Sequence, residues 1–151
     1  MNTPLLYFHT LRHLRPVQIA GRVWFTLYRP RPQLGAAPQR RSAPGTFVEP
    51  VHPESSLPGP GRFRFLNEER SLERGAWEPP DASRLWVYHL HYFDDLNARE
   101  ADARRAWHQD LLSGWVAGNP PGRGVGWEPY PLSRRIVNWV KWAAAGGELT
   151  A

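Results

Sequence analysis

Apolar residues recur at helical spacing in two short stretches near the start of the chain. The first stretch follows Thr3 and Pro4, which occupy positions typical of an N-cap and a first helical turn. The second begins at Pro16, carries apolar residues as far as Tyr28 and must end before the next proline. Because neither stretch can bury its apolar face alone, we expect residues 1–29 to form N-terminal helices that pack on another surface.

The next segment has a different composition. Residues 30–61 contain eight of the sixteen prolines and few large apolar side chains, which is typical of a linker or an extended arm. The sequence RFRFL then alternates, and this pattern places Phe63 and Phe65 on one face of a short strand.

Two further segments with regularly spaced apolar residues follow, and the second ends at Gly118. LWVYHLHYFDDL, residues 85–96, begins like a strand and then takes helical spacing. Asn97 and Glu100 have the spacing of a capping box for the following helix. That helix carries one stripe of Trp107, Leu111 and Trp115.

The last predicted helix begins at Pro131 and ends at Gly146 and Gly147. At about 100° per residue, five apolar residues fall on one side, which we expect to face the core; they are Leu132, Ile136, Trp139, Val140 and Ala143. The opposite side carries Arg134, Asn138 and Lys141. The whole pattern predicts a mainly α fold with one short β element.

Composition narrows the functional classes. The 151 residues include no cysteine, which excludes disulfides, cysteine nucleophiles and cysteine-based zinc sites. The net charge of +5 suits an acidic partner, whether polysaccharide, nucleic acid or membrane surface. The apolar patch from Leu5 to Phe8 is too short for a signal peptide or a membrane span. We therefore expect no membrane partner and, by default, a cytoplasmic location.

The block GWEPYPLSRRIVNW, residues 126–139, concentrates rings and cations at a helix start. Trp127 and Tyr130 lie among prolines beside the favourable anion position of a helix N-terminus. Arg134 and Asn138 are one turn apart and form a donor-rich pair suited to a carboxylate or sulfate. Rings stack on the faces of sugars, so the combination indicates an acidic sugar as ligand.

Three of these stretches resemble one family. LWVYHLHYFDDL, WEPYPLSRRIVNW and the opening TLRHLRPVQIAGRVWFTLYRP are similar to the N-terminal region of the heparinase II/III family of polysaccharide lyases. The resemblance implies that residues 62–151 begin an incomplete (α/α) toroid that binds a uronic-acid-containing polysaccharide, which the family cleaves by β-elimination. It also implies six substrate-binding residues, namely His91, Trp127, Glu128, Tyr130, Arg134 and Asn138.

The resemblance assigns no catalytic residue to this chain. The acid and base of the family occur later than the matched blocks, so a C-terminal remainder is expected and this part alone is expected to be inactive. No cofactor and no metal is implied.

Other interpretations remain open. His89 and His91 would share a face on a strand and could form a metal pair, although no third ligand has suitable spacing. Asp94, Asp95 and Glu128 could suggest glycosidase carboxylates, but adjacent aspartates on a helix diverge by about 100°. A non-catalytic carbohydrate-binding or surface-polysaccharide assembly module is a further alternative. A basic nucleic-acid-binding protein is the remaining one, and we expect no nucleic-acid partner because no signature of such a domain is present.

Overall fold

A computed structural model of the chain describes residues 12–28 and 51–148, together with residues 33, 35, 36, 39, 45 and 48. The chain divides into two units, Met1–Ala36 and Ala37–Ala151, and each is described by itself. The predicted helix after Pro4 lies outside the described residues. Among the described residues the fold is mainly helical, with four α-helices and one small sheet, which confirms the predicted class.

The first unit contains helix α1, Pro16–Leu27, which confirms the second predicted helix. Proline at the first position needs no backbone donor, and the Arg15 N–H donates to Oε1 of Gln18 at 2.8 Å. The helix ends at Leu27, with Tyr28 as its C-cap, two residues before Pro30. None of the side chains of α1 is buried.

The second unit opens with a β-hairpin. Strands β1, Arg62–Phe65, and β2, Glu68–Ser71, pair antiparallel, with Phe65 opposite Glu68. Leu66 and Asn67 have φ of 55° and 62°, the left-handed values that a tight two-residue hairpin turn requires. Phe63 and Phe65 share the buried face, as predicted, whereas β2 was not predicted.

Three helices follow the hairpin. They are α2, Arg84–Tyr92; α3, Arg105–Gly118; and α4, Pro129–Ala144. Short 3-10 helices lie at Asp94–Asn97, Ala101–Arg104 and Val125–Trp127.

Two local predictions for this region were wrong. The strand-like start of residues 85–96 is helical, because the Ser83 side chain accepts a hydrogen bond from Trp86 N and caps α2. The capping box at Asn97 does not form, because α3 begins only at Arg105. The Asn97 amide instead donates to the Asn138 carbonyl at 3.1 Å.

The core of the second unit joins the hairpin to the helices through aromatic rings. Its buried apolar residues are Leu57, Phe63, Phe65, Trp77, Trp86, Leu90, Phe93, Leu96, Leu112, Trp115 and Trp142. Leu57 belongs to the predicted extended arm, yet it is buried. Its backbone N–H and that of Ser56 both donate to Asp95. The end of the predicted arm is therefore part of the packed unit.

The predicted rotation of the last helix was also wrong. The buried positions of α4 are Pro131, Arg135, Asn138 and Trp142, at helical spacing. Ile136 and Val140, predicted to face the core, are exposed, while Leu132, Trp139 and Ala143 are half-buried. The buried stripe is thus rotated so that two polar residues, rather than two apolar ones, face inward. Arg134 remains exposed, as predicted.

Among the described residues, no helix combines the length and apolar character needed to cross a bilayer.

Candidate functional site

A cavity of about 360 Å³ is lined by the hairpin, by the segment before it, and by α2, α4 and the turn between α2 and α3. The hairpin supplies Arg64, Phe65 and Leu66, and the preceding segment supplies Val51, Pro53, Glu54 and Ser56. The helical side is polar and consists of His89, Asp94, Asn97, Arg134, Asn138 and Lys141. A volume of this size is within the usual range for small-molecule sites, about 300–1,000 Å³.

Arg134 and Asn138, the predicted anion-binding pair, converge as expected, but on a carboxylate of the chain itself. Arg134 Nη2 and Asn138 Nδ2 lie 2.8 Å and 2.6 Å from Oδ1 of Asp94. Asn138 Nδ2 also donates to the Tyr92 carbonyl at 2.8 Å. The buried Asn138 therefore fixes the end of α2 against α4, and Arg134 is the member of the pair that reaches solvent.

Lys141 is the cation of the cavity that is not neutralised within the described part of the chain. Arg134 pairs with Asp94, and Arg64 pairs with Glu69 at 2.9 Å. Lys141 forms neither an ion pair nor a side-chain hydrogen bond with any described residue, and it is half-buried at the cavity wall. It lies two turns along α4 from Arg134, on the same side of the helix.

Aromatic side chains lie next to these cations. Tyr130 is exposed, and its ring meets that of Tyr92 edge-on, with centroids 5.7 Å apart. The Arg134 guanidinium lies 5.7 Å from the centre of the Tyr92 ring. Tyr130 does not line the cavity, but it lies one turn before Arg134 on α4 and both contact Tyr92, so an exposed ring and an exposed cation share this end of the helix.

Glu128, another predicted site residue, forms hydrogen bonds with Arg84 and Tyr88 of α2. Tyr88 and Arg84 both donate to its carboxylate, and Arg84 also donates to the Tyr88 hydroxyl at 3.2 Å. The hydrogen bond from Tyr88 outweighs the effect of burial and, with Arg84, lowers the pKa of Glu128. This carboxylate is therefore ionised and anchors α2 to the start of α4.

Trp127, the other predicted ring of the site, packs into the interior. Its ring packs on Trp115, at 5.6 Å between centroids, and its indole N–H donates to the Asn119 carbonyl at 3.2 Å. The buried Arg135 guanidinium lies 3.8 Å from the centre of the Trp115 ring and 5.3 Å from that of Trp127. Trp127 thus belongs to an interior cage around a cation, which the sequence pattern did not indicate.

His91 is fully buried in the interior. Its Nδ1 accepts a hydrogen bond from Trp115 Nε1 at 2.9 Å. A Cβ added at Gly126 would lie 2.7 Å from the same Nδ1, so only glycine fits there. Burial and, secondarily, the charge of Arg135 lower the pKa of His91 to about 4. His91 is therefore a neutral core group that does not reach the surface in this structure.

His89, rather than His91, faces the cavity. On helix α2 the two histidines diverge by about 200°, so they cannot form the metal pair considered for a strand. The described residues contain no group of three side chains able to hold a metal ion. His89 stacks on Phe65 at 5.7 Å between centroids, and burial lowers its pKa.

Asp94 and Asp95 point to different environments, so these two carboxylates do not face each other as a glycosidase pair would. Asp95 is buried and accepts hydrogen bonds from Ser55, Ser56, Leu57, Arg104 and His108. The hydrogen bonds of Asp95 join residues 55–57 to the start of α3, whereas Asp94 lines the cavity.

Sequence reasoning found Arg134 and Asn138 but missed several cavity residues. Arg64, His89, Asn97 and Lys141 come from separate elements, and no local motif joins them. Only the placement of the hairpin against α2 and α4 brings them together. Lys141 alone had a signal, because its spacing from Arg134 was already visible on the helix.

Comparison of the chain with protein-family models, with curated proteins and with solved structures finds no match.

Proposed function

We propose that residues 51–148 bind a uronic-acid-containing polysaccharide in the cavity beside α4, as the N-terminal part of a heparinase II/III-like polysaccharide lyase. The observation that carries this proposal is the unneutralised Lys141 in a 360 Å³ cavity, next to the half-exposed Arg134. A carboxylate of the polymer would pair with Lys141. The exposed Tyr130 ring offers a stacking surface for a neighbouring sugar.

Arg134 has a defined part in this proposal. Its ion pair with Asp94 is partly solvated, since the two side chains are 47% and 28% exposed. Such pairs are worth little in water, so a ligand carboxylate can share the guanidinium without a large loss. Asp94 then keeps Arg134 oriented towards the cavity when no ligand is present.

The finer architecture belongs to the same proposal. Helices α2 and α4 pack against each other and would form part of the first helix pairs of an (α/α) toroid. In a lyase the cations of the cavity would neutralise the uronate, which favours removal of the proton next to the carboxylate. The proton-transfer groups would be supplied outside the blocks present here, so binding without cleavage is expected.

The test is a binding titration of the full chain with alginate, polygalacturonate and uncharged dextran. Lys141→Gln should weaken binding of the acidic polymers about tenfold, because one charge-assisted contact is lost. Arg123→Gln, which removes an exposed charge outside the cavity, is the matched control and should stay within about twofold. Dextran should not bind. Equal losses in the two variants would show that only overall charge matters, which would contradict the proposed site.

The alternative classes give different results. Formation of unsaturated uronate, followed by its ultraviolet absorbance, would contradict the expectation that this part of the chain binds without cleaving. Salt-dependent binding of single-stranded DNA, with no binding of the acidic polymers, would favour a nucleic-acid-binding protein. A non-catalytic carbohydrate-binding module is the second candidate. The acidic side chains that line the cavity, Asp94 and Glu54, are both ion-paired, so neither is free to act as a general acid or base.

A further inference from the structure

Helix α1 has an apolar face that no other described residue of the first unit covers. Its large apolar side chains are between 39% and 81% exposed. At 100° per residue, six of its residues fall within an arc of about 160°; they are Val17, Ile19, Ala20, Val23, Trp24 and Leu27. An exposed apolar arc of this width is costly in water and indicates a surface that is covered in use.

The other side of α1 carries a narrow polar and cationic strip, with the exposed Phe25 beside Gln18 at its edge. Gln18, Arg22 and Thr26 lie within about 80° of one another around the helix, and Arg15 precedes its first turn. Thr26 bonds to the Arg22 carbonyl, and Gln18 caps the helix start through Arg15 N. The polar strip therefore leaves its two guanidinium groups without a carboxylate partner among the described residues.

The charge of this region is entirely positive. Residues 1–48 contain seven arginines and no aspartate or glutamate, a formal charge of +7. Residues 49–151 contain the other twelve basic residues and all fourteen acidic ones, a formal charge of −2. The basic character of the chain is thus a property of the segment that carries α1, and it favours an anionic partner.

We propose that α1 docks on the surface of an anionic lipid bilayer, with its apolar arc in the acyl boundary and its arginines at the phosphate level. A polysaccharide or nucleic acid would satisfy the arginines but leave the apolar arc in water. A bilayer interface supplies both an apolar layer and a sheet of negative charge. Trp24 and Tyr28, whose ring centroids lie 5.3 Å apart, are the residue types that favour this boundary.

This partner differs from the expectation drawn from hydropathy. That expectation considered only segments able to span a membrane or direct export, and α1, at twelve residues, is far too short for either. A helix lying in the interface needs only a strong separation of apolar and cationic faces. The proposal does not rest on the function proposed for residues 51–148.

Co-sedimentation of the full chain with lipid vesicles tests the proposal. The chain should bind vesicles of phosphatidylcholine mixed with phosphatidylglycerol, and bind much more weakly to vesicles of phosphatidylcholine alone. Arg15→Gln with Arg22→Gln should lower the partition coefficient about 30-fold, because each arginine near the surface contributes about fivefold. Arg74→Gln with Arg123→Gln removes the same charge from exposed positions outside α1 and should change it less than threefold.

A second variant separates docking from simple charge attraction. Trp24→Ala keeps every charge and should lower partitioning at least tenfold, because a large apolar side chain is lost from the boundary. All three variants change exposed side chains, so circular dichroism should show an unchanged fold.

Three results would overturn the proposal: no binding to the anionic vesicles, equal binding to both lipid mixtures, or loss of binding with the control pair alone. Self-association that Trp24→Ala abolishes, without any vesicle binding, would identify a second copy of the chain as the occupant.

Discussion

Asp95 is the side chain on which the local geometry of the second unit converges. Burial would raise the pKa of its carboxyl, but hydrogen bonds from His108, Arg104 and Ser55 outweigh burial and lower the pKa to about 2. The distances from Asp95 to the nitrogens of His108 and Arg104 are 2.8 Å and 2.9 Å. A carboxylate with this many donors connects residues 55–57, about 40 positions earlier in the chain, to the start of α3.

Replacing Asp95 by Asn should destabilise the second unit by about 3 kcal/mol. The amide keeps the shape of the carboxylate but loses the negative charge that faces Arg104. Its NH2 group also replaces an oxygen that accepts hydrogen bonds, which places donor against donor. The measurement is the free energy of unfolding in urea at neutral pH, followed by tryptophan fluorescence.

Asp102→Asn is the matched control for Asp95→Asn. The Asp102 side chain is 91% exposed and pairs only with a neighbour on its own turn, so the same substitution should cost less than about 0.5 kcal/mol. Similar losses for the two variants would show that the hydrogen-bonded cluster does not determine stability.

At the scale of elements, α4 shows where hydrophobic periodicity fails. The helix carries enough apolar residues for two faces, and the choice between them depends on what the polar residues bind. Arg135 donates to the Gly126 carbonyl at 2.6 Å and packs on tryptophan rings, which compensates for its burial. These partners lie outside α4, so the sequence of the helix alone could not reveal them.

Other elements were predictable because their signals are local. Prolines bound α1, and the alternation of Phe63 and Phe65 sufficed for β1. Strand β2 was missed because EERS is charged and β2 exists through pairing with β1, not through burial of its own side chains. The cavity could be predicted only in part, since Arg134 and Lys141 share a helix face whereas Arg64 arrives from the hairpin.

The rotation of α4 gives a prediction at this scale. Trp142→Ala should destabilise the second unit by about 3–5 kcal/mol, because its ring is buried in the core. Ile136→Ala removes an exposed side chain from the face first expected to be buried, and should cost less than about 1 kcal/mol. Urea unfolding of both variants measures the difference. The reverse order would restore the rotation expected from periodicity.

For the molecule as a whole, the net positive charge and the hydrophobic core belong to different parts of the chain. The unit that contains the cavity, residues 37–151, has fourteen basic and fourteen acidic residues and therefore no net formal charge, so its affinity for a polyanion must arise from the local arrangement of Lys141 and Arg134. The isoelectric point of the whole chain is near 10.2, and this high value arises from the seven arginines of the first 48 residues. A bulk net charge is therefore a poor guide to the ligand of the cavity and a better guide to the partner of α1.

The stability of the second unit should depend on pH in two separate windows. The pKa of His91 is lowered from about 6.5 to about 4, so the unfolded chain binds a proton before the folded one does. Stability present above pH 6.5 is then lost as the pH falls to 4, by about 3 kcal/mol. The pKa of Asp95 is lowered from 3.8 to about 2, and stability falls by about 2 kcal/mol more between pH 4 and pH 2.

Urea unfolding between pH 7 and pH 2 distinguishes the two windows when it is combined with two variants. His91→Asn keeps an acceptor for the Trp115 N–H but cannot titrate, so most of the loss between pH 6.5 and 4 should disappear, apart from a smaller slope from His89. Asp95→Asn should remove most of the loss below pH 4, apart from a smaller slope from the other carboxylates whose pKa is lowered, Glu69, Asp81 and Glu128, and should leave the upper window unchanged. If His91→Asn kept the full slope of the parent chain, protonation of the buried imidazole would not be the step that destabilises the folded unit, and the neutral core role assigned to His91 would be wrong.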